Sequence, residues 1–148
     1  VKDPPELQAK HDLVKAKLYG FLDRPDTVFN RYPQTDQSMA AFYARAIATY
    51  RKSGVQAAMP QINALITAKP DWPYFHEIKG QFLFESGNVK DAIPHLRQAV
   101  ALSPEEPLIR IMLAQALLGT QDMKNVDEAI SNLRIALARE TTSAPGSR

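Results

Sequence analysis

Apolar residues recur along this chain at helical spacing. Leu7, Val14, Leu18 and Phe21 predict an amphipathic helix over residues ~5–22. Pro4 and Pro5 open it, where a missing N–H has no intrahelical partner to lose. Asp23-Arg24-Pro25 ends it, and a short helix over Asp26–Arg31, carrying Val28 and Phe29, stops at Pro33. Longer helices follow in pairs. Phe42, Ala46, Ile47 and Tyr50 mark one that turns at Ser53-Gly54; Ala58, Ile62 and Leu65 mark its partner, ended by Lys69-Pro70. Gly80 and Leu83 lead to a turn at Ser86-Gly87-Asn88, then Ala92, Leu96, Ala99 and Leu102. Ala114 and Leu117 precede the turn Gly119–Asn125, and Ala129, Leu133 and Ala136 close the pattern. The expected fold is all-α.

The pairs repeat. Ala46, Gly80 and Ala114 fall at intervals of 34, as do Pro60 and Pro94, Ile62 and Leu96, and Pro70 and Pro104. That period is the signature of tetratricopeptide (TPR) repeats, each a helix–turn–helix hairpin, which stack into a right-handed helical solenoid. Ala46, Gly80 and Ala114 should sit where the first helix of a hairpin (helix A) presses closest on its partner, with Ala58, Ala92 and Ala129 opposite on helix B. A larger side chain there overpacks the contact, at about 1–3 kcal/mol. Ala129 arrives 37 residues after Ala92, because the third turn is three residues longer; loop entropy tolerates that easily. Pro60 and Pro94 read as lying near the start of helix B, where a missing N–H is tolerated. The predicted organisation is a linker and leading helical pair over 1–36, three repeats over 37–139 (about 39–71, 72–104 and 106–139), and a flexible tail over 140–148.

Composition narrows the function. At 148 residues, 45% hydrophobic and 23% charged, the chain is an ordinary globular domain or short array, and its net charge of +2 carries no basic stripe for nucleic acid. No run of about 18 apolar residues predicts membrane insertion. The absence of cysteine removes disulfides, thiolate catalysis and cysteine-ligated zinc. The opening Val1-Lys-Asp-Pro-Pro reads as a linker, as expected of a segment taken from a longer protein. His76-Glu77 lacks the second histidine of a His-Glu-x-x-His zinc site, that position being Gly80. His11 and His95 read as helix-surface residues. Glu105-Glu106 and Asp127-Glu128 stand at helix starts, where they favour the dipole. No Ser or Thr has a nucleophile context, so no catalytic residue, metal site or cofactor is expected in this segment.

What remains is a binding surface. In a TPR stack the concave face is lined by helix A positions outside the interhelix core. These are Tyr43, Ile47, Tyr50 and Arg51 in the first repeat, and Tyr74, Glu77, Gln81, Phe84 and Glu85 in the second. Leu108, Ile111 and Gln115 complete it in the third. Tyr and Phe there offer stiff, amphipathic contacts to a peptide or helix; the alternative is that several pack against the leading helix or neighbouring repeats. The Lys/Asn/Arg set with which chaperone-binding TPR domains hold a C-terminal carboxylate is missing, since Tyr43 and Ile47 occupy two of its positions.

Asp3-Pro-Pro-Glu-Leu-Gln-Ala-Lys-His-Asp-Leu-Val-Lys-Ala-Lys-Leu-Tyr-Gly-Phe21 resembles the junction between catalytic and TPR domains in a family of bacterial zinc metalloproteases. That family includes the periplasmic β-barrel assembly-enhancing protease. Pro73-Tyr-Phe-His-Glu-Ile-Lys-Gly-Gln81 is similar to its repeats. The resemblance implies a periplasmic location, protein or peptide ligands and the chain's own protease domain as partners, and zinc only in a catalytic domain outside this segment. The rival expectation is a self-associating scaffold, with Ile130, Leu133, Ile135 and Leu137 pairing with a second copy as a homodimer.

Overall fold

The computed structural model describes residues 4–143, with side chains to residue 138. All regular structure among the described residues is helical. The order is α1 (Pro4–Leu22), α2 (Pro25–Arg31), α3 (Met39–Ser53), α4 (Val55–Ala68), α5 (Pro73–Glu85), α6 (Val89–Leu102) and α7 (Pro107–Gly119), then a 3-10 turn (Met123–Asn125) and α8 (Val126–Ser143). Helix α8 runs past residue 140, where the sequence reading starts its tail, and residues 144–148 of that tail lie outside the described residues. The chain divides into two compact units, Val1–Ala68 and Lys69–Arg148. The leading helical pair is therefore one body with the first repeat, and the other repeats form the second.

In the first unit α1 packs on α3 through small residues. Leu13, Ala16 and Gly20 are its buried face, whereas Leu7, Val14 and Leu18, expected to face inward, are 51%, 48% and 55% exposed. Close approach is the reason. A Cβ added to Gly20 would lie 3.0 Å from Cβ and Cγ2 of Ile47, so only a small stripe lets the two backbones come this near. Helix α2 starts with Pro25, buries Val28 and ends after seven residues. Ser38 caps α3, its hydroxyl accepting from the Ala41 N–H at 3.1 Å. Gly54, with φ 91°, turns the chain into α4, which buries Ala58, Ile62 and Leu65 against α3.

In the second unit α5 packs on α6, α6 on α7, and α7 on α8. Ala92, Ile93, Leu96, Leu113, Ala114 and Leu117 form the centre of one core with Ala116 and Ala129. The close-packing positions behave as the period demands: Ala46, Gly80, Ala114, Ala58, Ala92 and Ala129 are all buried. Gly80 is the tightest, since a Cβ there would meet Leu96 Cγ and Cδ2 at 2.5 Å. The longer third turn becomes ordered structure: Thr120 Oγ1 donates to the Leu117 carbonyl at 2.6 Å, and Asp122 accepts from the Lys124 N–H at 3.0 Å.

Pro60 and Pro94 lie inside α4 and α6, each at the sixth residue and past the first turn. Each removes an i→i−4 bond, because both lie deeper in the helix than the expected place near its start, where a missing N–H is tolerated. Both prolines are exposed, as are Gln56 and Lys90, whose carbonyls lose the bond. Water can serve those carbonyls.

Candidate protein-binding surface

The two units treat the expected concave positions differently. In the first unit Tyr43 and Ile47 are 1% and 0% exposed. They are core residues and not surface contacts, a correction whose cause is α1: its Gly20 sits directly on Ile47. Arg51 is exposed, but its Nη1 donates to the carbonyls of Gly20, at 2.6 Å, and of Asp23. It thus holds the end of α1 to α3. Tyr50 is half-buried. The leading helix occupies this face.

In the second unit the face is partly open. Glu77 is buried at 5% exposure and so is not a surface contact, and Tyr74 is half-buried. Phe84 packs on the α6–α8 core, and a Cβ on Gly119 would lie 3.3 Å from its Cε1. Gln81 Nε2 donates to Glu85 Oε2 at 3.0 Å along the outer side of α5. Helix α7, which touches α5, carries Leu108, 75% exposed, then half-buried Ile111 and exposed Gln115. Their spacing places the three on one helix face. Of the expected residues here, Glu85, Leu108 and Gln115 are exposed and Tyr74, Gln81 and Ile111 half-buried, and those of α7 make a short apolar strip with a polar edge.

His76 has a structural role. It is 8% exposed, and its Nε2 donates to the Pro70 carbonyl at 2.7 Å. Arg110, 34 residues later, repeats the contact: its Nε donates to the Pro104 carbonyl at 2.7 Å, while Nη1 donates to Asn132 Oδ1 at 2.9 Å. A side chain of α5 and one of α7 thus tie down the proline that ends the preceding helix pair. The signal was present in the sequence, as both partners obey the period. Half-buried His95 is less exposed than expected for a surface residue; burial, then the charges of Lys79 and His76, lower its pKa. Among the described residues no group of three or more His, Cys, Asp or Glu could hold a metal ion.

The first unit also holds a cleft of about 480 Å³ that no motif or spacing in the sequence marks. Phe29 and Gln34 border it from α2 and the following loop, Met39, Phe42, Arg45 and Thr49 from α3. Pro60, Gln61, Ala64, Leu65 and Ala68 of α4 complete the wall. Arg45 is only 4% exposed. Its Nη1 donates to the carbonyls of Tyr32 and Pro33 at 3.2 and 2.8 Å, and its guanidinium lies 4.8 Å from the Phe42 ring centroid. Nη2 is buried with no hydrogen-bond partner among the described residues. Burial lowers the Arg45 pKa, partly offset by Asp36. An unserved buried donor costs about 1–3 kcal/mol, more when charged.

Two family models, each described as tetratricopeptide repeat, match residues 43–107 and 83–144. No curated protein matches the sequence. Among solved structures, MamA superposes with a TM-score of 0.70 at 18% identity, covering 90% of this chain and 79% of its own. MamA AMB-1 gives 0.64 at 17%, covering 90% and 74%, and MamA MSR-1 gives 0.64 at 17%, covering 97% and 83%. At such identity the likeness speaks for the fold. The chain carries tetratricopeptide repeats, and its fold class is the all-α helical solenoid.

Proposed function

We propose that this chain is a protein-binding module whose contact surface in the second unit is the α5–α7 strip. The observation that carries this reading is exposed Leu108 and Gln115 with half-buried Ile111 between them on one face of α7, which touches the helix of Gln81 and Glu85. An apolar strip with a polar edge suits an extended or helical protein segment, and stacked TPR hairpins are commonly binding scaffolds. No catalytic role is assigned to any residue. The finer reading is a substrate- or partner-recognition domain of a secreted, periplasmic zinc metalloprotease, with zinc in the protease domain. It rests on the resemblance of residues 3–21 and 73–81 to that family.

Photocrosslinking tests both levels. A photoreactive residue at Leu108 or Gln115 should trap a protein that the same residue at exposed Gln98 does not. Equal trapping at all three positions would remove the α5–α7 strip as the site. Envelope or β-barrel assembly proteins among those trapped would support the finer reading; exclusively cytoplasmic ones would overturn it.

One feature favours a second reading, self-association. Ile130, Ile135 and Leu137 of α8 are 38%, 40% and 60% exposed. Light scattering at micromolar concentration separates the readings: a dimer lost on Leu137→Glu would mark α8 as a contact between copies.

A further inference from the structure

The cleft of the first unit opens beside the end of a short helix. Helix α2 has seven residues, whereas α4 and α6 have fourteen each. The cleft is walled by α3 from Met39 to Thr49 and by α4 from Pro60 to Ala68. Phe42, Arg45 and Thr49 share one face of α3, and Gln61, Ala64 and Ala68 one face of α4. Two parallel rows of side chains with a gap between them form a groove of the kind that accepts a third helix.

Charge decides what such a helix must carry. Arg45 is the only ionisable residue lining the cleft, and its bonds go to neutral main-chain carbonyls. Asp36 acts on it through its charge, but no carboxylate forms an ion pair or hydrogen bond with it among the described residues. Nη2 keeps a donor without an acceptor. A guanidinium presents its donors as a planar fork matched to a carboxylate. The rest of the wall, Phe29, Met39, Phe42, Pro60 and Leu65, is apolar.

We infer that the cleft is a second protein-binding site, which takes about two turns of a partner's amphipathic helix and pairs a Glu or Asp on its apolar face with Arg45. This site is separate from the α5–α7 strip, and either can fail without the other.

The probes are acetylated, amidated, fluorescein-labelled peptides of about twelve residues, with leucines on one helix face and Glu, Gln or Lys at one position within that face. Fluorescence anisotropy with the full chain should give binding of the Glu peptide about tenfold or more tighter than the Gln peptide, and least for Lys. Arg45→Gln should bring the Glu and Gln peptides within about twofold. Ala64→Trp, which fills the cleft from an exposed position and leaves Arg45 intact, should abolish binding of every peptide with helical content unchanged. Absence of binding by wild type, equal binding of Glu and Gln peptides, or undiminished binding by Ala64→Trp would overturn the inference. Octanoate competing as well as the peptide would replace a helix with a small amphiphile. Self-association abolished by Ala64→Trp would make the occupant a second copy. Either result rejects the foreign helix.

Discussion

Replacing Gly80 with Ala sets two energies of opposite sign against each other. In a helix interior Ala is better than Gly by about 1 kcal/mol, so propensity alone makes the variant more stable. Packing opposes it. The new Cβ would stand 2.5 Å from both Cγ and Cδ2 of Leu96 and 3.3 Å from the Ala92 carbonyl oxygen. Ordinary contact lies near 3.5–4.0 Å, so α5 and α6 must separate by about 1 Å or Leu96 must leave its rotamer. Leu96 is fully buried among Ala92, Leu113 and Leu117, so neither adjustment is free. Overpacking at the upper part of its 1–3 kcal/mol range outweighs propensity, for a net loss of about 1–2 kcal/mol. In a chain this long that lowers Tm by about 2–8 °C. Circular dichroism melts and urea titrations of wild type, Gly80→Ala, Leu96→Ala and the double variant measure it. Leu96→Ala alone should cost about 2–5 kcal/mol, and the double variant should be less destabilised than the sum by about 1 kcal/mol or more. A Gly80→Ala variant as stable as wild type, or a strictly additive double variant, would refute the close-packing account of the 34-residue spacing.

Tyr43→Ala should cost roughly 3 kcal/mol, because the ring is core; Leu108→Ala should leave the melt within about 0.5 kcal/mol yet weaken partner capture. Arg97 donates from Nε and Nη2 to Glu128 at 2.9 and 2.7 Å, which lowers the Glu128 pKa. That contribution is full above the free carboxylate value of 4.5 and is lost as pH falls through the depressed folded value. Glu128→Gln should therefore be less stable than wild type at neutral pH, by under about 1 kcal/mol given the exposed pair, and the gap should close in acid or high salt. His95 has a lowered pKa, so its contribution is full above 6.5 and declines as pH falls below it. His95→Gln should flatten that part of the stability–pH curve, which urea titrations at stepped pH would show.

The residues that obey the period were the legible ones. Ala46, Gly80 and Ala114 report a contact between helices close in sequence, so spacing alone identifies them. The face of α1 was not legible, because hydrophobicity ranks Leu7, Val14 and Leu18 above Ala16 and Gly20, while the distance to α3 selects the small ones. Tyr43 and Ile47 were placed on the concave face by counting within a repeat, and counting does not know that another helix lies there. The strip at Leu108, Ile111 and Gln115 escaped that error in its own unit. Arg45 carries no motif at all: its contacts are to the loop after α2, and it lines a cleft that no spacing in the sequence marks.

The ties from His76 to Pro70 and from Arg110 to Pro104 bear on how such a chain can change length. Donor and acceptor are six residues apart in both. Excising residues 71–104, one whole period, would join Pro70 to Glu105 and leave Arg110 six residues beyond a proline. The fastening would be remade at the scar with the remaining partners. Gain or loss of a hairpin thus needs no compensating substitution at this joint, so the length of the array can vary by recombination while the rejoined proline keeps its clasp.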